Sequence, residues 1–514
     1  MKKTLAFLLA AVLLLSLAAC SGNPATPDDS QTDPSSGVSG DPDVTDTPTA
    51  PDSTDASDAT GTSGAAASTT AGGNASKTNA TSGSTSTTKN NGLDIKPAEG
   101  TKSLLDGLDF GGKTFTFAYR TDIVPDADEK ALIQKFSKKF NCKIKTSVVA
   151  FDSYMDSMSK KIVAGQPYDV VFLHGSHMPM VVVNKLLMPL DSYFTTKDMA
   201  DVAHPEKGGI YKPLSEYFMG KDGKVYGVSG PTDINFSIGY YNKQAFKDAG
   251  LEDPYTLWTK GQWTWDKFEE MAKKYGNAAK DTYLTPNMSG LLLTTGKNYV
   301  SRTGTASYTV NLNDPIVFTA LTRYQKWVVT DKILRPKNMP NTTYYSDFAN
   351  GKYPMLAEAS DNHIGQIKQL IAEAKSPAWK NGDLSLLGLV PMPQYKAGTK
   401  YIAADWPLAL GASVGSKDAR VAVAYMLYKS VRANRTYTDP YALTTEEQKV
   451  YDEVYSSCTQ VYDYYGFRNS TTNAMQQLHN MRTEIAAGND VKATLEKYQS
   501  LIEGMRDGVL KDWK

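Results

Sequence analysis

Between Lys113 and Leu173 the apolar residues change their period four times. Lys113 to Arg120 (KTFTFAYR) alternates apolar and polar and predicts a strand. Asp126 to Phe140 carries Ala131, Leu132, Ile133, Phe136 and Phe140 at near-helical spacing. Lys143 to Ala150 alternates again, and Tyr154 to Ala164 returns to a helical pattern. Tyr168 to Leu173 (YDVVFL) is a continuous apolar run with β-branched residues, as in a strand covered on both faces. Strand, helix, strand, helix, strand implies a parallel sheet with crossover helices, an α/β fold. Ligands of such sheets sit beyond the carboxyl ends of the strands. That rule places Tyr119-Arg120 and His174-Gly175-Ser176-His177 at the edge of a cleft.

Farther along, Trp265 to Tyr275, Pro315 to Thr330 and Ser360 to Ala374 read as helices, with strand-like passages at Ile234 to Tyr241 and Leu386 to Pro391. From Thr444 onward the pattern is helical and amphipathic. No internal repeat is present.

The chain has 514 residues, more than one ordinary domain. The first hundred contribute little to a core. Lys2 and Lys3 precede a nearly unbroken apolar run from Leu5 to Leu17, the pattern of a secretory signal peptide spanning 1–19. That run is too short to span a bilayer comfortably. Leu17-Ala18-Ala19-Cys20 resembles the bacterial lipobox, which implies that Cys20 carries diacylglycerol; two acyl chains suffice for stable anchoring. Residues 20–103 are Ser-, Thr-, Asp- and Pro-rich and too polar to offset backbone ordering, so they are expected to form a disordered tether, with order beginning near Leu104. A coil of roughly 80 residues spans on the order of 50 Å. Cys142 and Cys458 are compatible with one disulfide or with two buried thiols. Charge is balanced, 55 basic against 55 acidic residues, so no global field points to nucleic acid.

Four passages, in this order, resemble the family 1 extracellular solute-binding proteins: YDVVFLHG…NKLLMPLDSYF (168–194), GKVYGVSGPTDINFSIGYYNKQAFKDAGLEDP (223–254) followed by Thr264-Trp265-Asp266-Lys267-Phe268, FANGKYPMLAEAS (348–360), and a stretch from Leu386 to Val431 that contains GLVPMPQ. The resemblance implies a two-lobed, periplasmic-binding-protein-like type II fold with a hinge and an interlobe cleft. Lobe 1 would hold 104–232 and 396–443, and lobe 2 would hold 233–395 and 444–514. The chain would cross between lobes near Pro231 to Phe236 and near Pro391 to Gly398, and binding would be hinge closure around a solute. Thr264 is expected to cap the helix starting at Trp265, and Gly250 to end another.

A sugar site wants flat apolar platforms for ring faces and polar groups for hydroxyls. By the resemblance, Trp406 would stack on a ring and Asp405 accept from hydroxyls. Asp233 and Asn235 lie where the crossover carries a ligand-contacting polar residue. Glu358 and Asp361 follow the strand of the third passage, where the family often has an aromatic contact; this sequence has Asp361 there instead, which weakens any transfer of maltose-like specificity. Tyr119, Arg120, Ser176 and His177 complete the candidates. Core packing or helix capping is the plain alternative for each. Tyr344 and Tyr345 read as loop surface, and Trp263 and Trp265 as packing of lobe 2.

Other chemistries fit less well. His174 and His177 are spaced like a metal pair, but a convincing site wants three or four ligands, so neither a metal nor a cofactor is expected. Gly290 to Asn298 mimics a phosphate loop but has Asn298 where Ser or Thr is required. The resemblance implies a monomeric, non-enzymatic receptor on the outer face of the cytoplasmic membrane, delivering a mono- or oligosaccharide to the permease subunits of an ABC importer. The alternatives are a sensor accessory for a membrane kinase, a receptor for a peptide or other polar solute, and a wall-associated polysaccharide hydrolase.

Overall fold

The strand–helix alternation after Lys113 builds the first sheet of the computed structural model. That structure describes residues 93–514 apart from 202–203, 232, 289, 336–340, 361–362, 405, 436–440, 442, 469–471, 512 and 514, and apart from the side chains of 234–235, 341–342, 358–360 and 406. The expected signal peptide, Cys20 and most of the expected tether therefore lie outside the described residues.

The strands in chain order are β1 (Thr114–Arg120), β2 (Lys143–Val149), β3 (Val170–His174), β4 (Ile234–Asn235), β5 (Ser237–Asn242), β6 (Val300–Thr303), β7 (Ser307–Val310), β8 (Met355–Ser360), β9 (Leu387–Pro391), β10 (Tyr401–Ala403), β11 (Trp406–Gly411) and β12 (Thr459–Val461). The first sheet runs β2-β1-β3-β11-β4. β1 is parallel to β2 and β3, as right-handed crossovers require, while β11 joins β3 antiparallel with Leu408 opposite His174. Helices Ala127–Lys139 and Arg420–Ser430 share one core with this sheet, containing Phe115, Phe117, Phe136, Val170 and Tyr425. β3 is buried along its whole length. β2, at the edge, alternates exposed and half-buried residues, with Lys143 and Lys145 outward.

The second sheet is β8-β5-β9, with β5 antiparallel to both neighbours. Around it pack helices Trp265–Tyr275, Pro315–Gln325, Ala474–Ala486 and Val491–Leu510. Asp126 caps the first helix by accepting from the Glu129 N–H, and Thr264 accepts from the Lys267 N–H at 3.3 Å, as its position predicts. Gly250, at φ +62°, follows the helix Lys243–Asp248. β10 and β12 form a separate parallel pair, and β6–β7 is a hairpin.

The chain passes between sheets at Phe236, which alone separates β4 from β5, and again between β9 and β11. A further passage lies between helix Arg420–Ser430, packed on the first sheet, and helix Thr445–Ser457, whose Thr444 and Glu447 form a capping box.

Several expectations need correction. Order begins earlier than Leu104: Leu93 and Ile95 are buried at 3% and 4% exposure in the first core, and Ala98 bridges to Thr195. Tyr344 is not loop surface but lies buried on helix Asn341–Ala349, because an apolar cluster with Phe348, Ile367 and Trp379 covers it. The helix from Pro315 gives way to a π-helical turn at Lys326–Thr330. Cys142 and Cys458 are free, buried thiols in different cores. Trp263 and Trp265 are fully packed, as expected.

Candidate functional site

The carboxyl ends of β1 and β3 meet the start of β11 and the short β4. Trp406 lies opposite Asn235 in the β11–β4 register, and His174 lies opposite Leu408. Two residues past β4, Ser237 lies opposite Ser360, which ends β8 two residues after Glu358. The fold thus brings the backbone positions of Asn235, Glu358 and Trp406 to one rim between the two sheets. Asp405 and Asp361 fall outside the described residues.

The turn after β3 is built by its own side chains. The Ser176 N–H donates to His174 Nδ1 at 3.0 Å, and the His174 N–H donates to His177 Nδ1 at 3.2 Å. Ser176 Oγ lies 2.7 Å from the same His174 nitrogen. Gly175 keeps this turn close to its neighbours: a Cβ would sit 3.1 Å from both Pro407 Cδ and the Tyr217 hydroxyl, so one of them would have to give way. The His177 ring lies parallel to Tyr154, centroids 5.3 Å apart, and Phe151 packs against both histidines. Burial first, and the Arg120 guanidinium second, hold both histidine pKa values well below the ordinary range. Both rings are therefore neutral at pH 7. Ser176 is half-buried, whereas His177 is only 4% exposed.

Arg120 is completely buried. Its Nε and Nη2 donate to the two Asp122 oxygens at 3.0 and 2.9 Å, and its Nη1 donates to the Phe172 carbonyl at 2.8 Å. It also lies over the Phe151 ring. Tyr119 stacks on Phe172 at 3.9 Å and donates its hydroxyl to Glu129 at 2.9 Å, a carboxylate that Tyr425 also reaches. Asp233 pairs with Lys429 at 3.1 Å and accepts from the Gly230 N–H. Tyr119, Phe172, Glu129, Asp233, Lys429 and Arg435 help line a cavity of about 380 Å³ on the first-sheet side of the rim. Tyr119 and Asp233 share that cavity, while Ser176 and His177 lie on the turn after β3.

Phe151, Tyr154, Lys429 and Gly466 were not among the residues expected here. Phe151 and Tyr154 follow β2 directly, so the rule that singled out the ends of β1 and β3 would have found them. Gly466 carries no comparable signal. Its α-carbon passes so close to the Met178 carbonyl that a Cβ would overlap it at 1.6 Å. Among the described residues no group of three or more His, Cys, Asp or Glu is arranged to hold a metal ion. No described helix is long and apolar enough to cross a membrane.

Comparison with known proteins decides the family. The sequence model of the bacterial extracellular solute-binding proteins matches residues 131–436, more than half of the chain. The chain belongs to this family. Among similar solved structures is the ABC substrate-binding protein Lmo0181 from Listeria monocytogenes in complex with cycloalternan, with TM-score 0.54 and 16% identity over 76% of this chain and 98% of that one. Another is the galacto-N-biose/lacto-N-biose I-binding protein of the ABC transporter from Bifidobacterium longum in complex with lacto-N-biose, with TM-score 0.55 and 16% identity over 78% and 98%. A third is the GacH receptor of Streptomyces glaucescens, with TM-score 0.54 and 18% identity over 78% and 100%. At these identities the likeness shows the shared two-lobed α/β fold. No curated protein matches the sequence. The rim between the sheets is thus the candidate binding site of an extracellular solute-binding protein.

Proposed function

We propose that this solute-binding protein captures a mono- or oligosaccharide outside the cell and delivers it to the permease subunits of an ABC importer. In this reading it acts as a monomer without catalysis, held at the outer face of the membrane through lipidated Cys20 and the tether. Lobe 1 comprises 104–232 and 396–443, now extended to Leu93, and lobe 2 comprises 233–395 and 444–514. The carrying observation is the convergence of Asn235, Glu358 and Trp406 on one rim in a chain of this family. Two further features support a polyhydroxyl ligand. The histidines beside the rim are neutral, and the nearby cavity offers carboxylates and cations in mixed array, which suits groups that both donate and accept. Its volume of about 380 Å³ falls in the range of small-molecule sites. Trp406 and Asp405 are assigned as platform and hydroxyl acceptor. Asn235, Asp233, Glu358, Asp361, Tyr119, Arg120, Ser176 and His177 are assigned around them, with Arg120 acting through the turn it supports.

The test is a thermal-shift screen of the full chain carrying Cys20→Ser, against mono- and oligosaccharides, peptides and polyamines. A saccharide at a hundredfold excess over its Kd stabilises the folded state by about 2.7 kcal/mol. That shift is lost in Trp406→Ala. A response to peptides or polyamines alone overturns the carbohydrate assignment.

A further inference from the structure

Away from the rim, a second seam joins the two halves, and an arginine lies at its centre. Arg302, on β6, is 1% exposed. Among the described residues its hydrogen-bond acceptors are all backbone carbonyls. Nη1 donates to Tyr217 at 3.1 Å, and Nη2 donates to Met219 at 2.8 Å and to Thr305 in its own hairpin at 2.7 Å. The guanidinium carbon lies 5.3 Å from the centroid of the Tyr308 ring.

Tyr217 and Met219 lie at and just beyond the carboxyl end of helix Lys212–Tyr217, which precedes the crossing at Phe236. β6–β7 follows that crossing. Its Val300 N–H donates to Asp463 at 2.8 Å, and its carbonyl accepts from the Tyr464 N–H. The same seam carries a Tyr217–Tyr464 stack at 4.4 Å, the Tyr217 hydroxyl on the Asp463 carbonyl at 2.7 Å, and Lys221 Nζ on the Trp513 carbonyl at 3.0 Å. A buried cation without a carboxylate partner is costly unless its donors are satisfied. Here Nη1 and Nη2 are held by carbonyls from both halves at once, while Nε has no partner among the described residues, so separating the halves would strip two acceptors from a desolvated charge that is already one short. That makes the seam selective for one relative orientation, which general apolar packing is not.

We propose that Arg302 is a positioning residue: it sets the angle between the lobes at rest, and through that angle the solute affinity, without touching the solute. This rests on the two-lobed receptor reading above. The experiment is a nitroxide distance measurement on the full-length Cys20→Ser protein labelled at Lys138→Cys and Gln366→Cys, both exposed and on opposite halves. The buried native thiols stay in place. Arg302→Met is expected to broaden or displace the distance distribution of the ligand-free protein. Arg302→Lys, a single point charge that cannot fork to two carbonyls, should do so to a smaller extent. Tyr217→Phe, which removes only the hydroxyl across the same seam, guards against misfolding of the arginine variants and should shift the distribution in the same direction. Distributions identical to the parent in variants that still melt cooperatively overturn the proposal, since Arg302 would then be only a packing residue. If the parent distribution responds to no saccharide in the screen while the variants still shift it, the carbohydrate reading fails and the role of Arg302 stands.

Discussion

The His174 N–H donates to His177 Nδ1 at 3.2 Å, so the proton of the neutral His177 ring resides on Nε2. This bond belongs to a pair of buried rings that resist protonation. Their folded pKa values lie well below the unfolded value of about 6.5, because burial and then Arg120 disfavour the cation. The unfolded chain therefore takes up protons first on acidification. Stability from these groups is complete above about pH 6.5 and is lost as the pH falls below it. Melting temperature is expected to decline between pH 7 and pH 5, and His177→Gln should flatten that decline. Parallel profiles for parent and variant would show that His177 already titrates normally in the fold.

Arg120 ties the end of β1 to β3 and to Asp122 through three donors. Arg120→Met leaves the Phe172 carbonyl unpaired in the core and is expected to cost about 3 kcal/mol in urea unfolding. Arg120→Lys should recover only part of this, since an ammonium lacks the planar fork. A loss below about 0.5 kcal/mol for the methionine variant would mean that water replaces the guanidinium freely.

Residues 93–101 are part of the folded body. Ile95→Ala is expected to destabilise by about 2–4 kcal/mol, as for a core aliphatic residue, whereas Glu99→Ala on the exposed side of the same segment should stay within about 0.5 kcal/mol. Equal, negligible effects would detach this segment from the core.

Cys142 and Cys458 are expected to react with a thiol reagent only after unfolding. Burial raises both thiols, Cys458 to about 12, which suppresses the reactive thiolate. Reducing agent should leave the melting temperature unchanged. Fast labelling of the native protein, or a melting temperature sensitive to reductant, would contradict the free, enclosed state.

The parts of this fold legible in the sequence are those with enough length for a period to show. β1, β2, β3 and the helices between them run seven, seven, five, thirteen and ten residues, and each lies within two residues of its expected bounds. β10 and β12 have three residues each and find each other across more than fifty residues, so no local pattern marks them. Leu93 and Ile95 stand in a polar composition that masks their burial. At the site, strand ends pointed to Tyr119, Arg120, Ser176 and His177, because sheet topology fixes where strands stop. Side-chain partners were not legible: the burial of Arg120, and the carbonyls that hold it and Arg302, become visible only once those carbonyls are located in space.

The single residue between β4 and β5 has a mechanical consequence. Phe236 is fully buried, and the strands on either side of it are locked into different sheets. A swing at such a pin displaces each atom in proportion to its distance from the pin. Asn235 and Ser237, one step away, stay almost fixed to one another, while the far ends of the two halves sweep the widest arcs. In the proposed receptor, backbone positions beside the pin therefore present nearly the same geometry to every solute that arrives. Discrimination among solutes of different length would then fall to residues at the end of the lever, where a small rotation opens or shuts the most space.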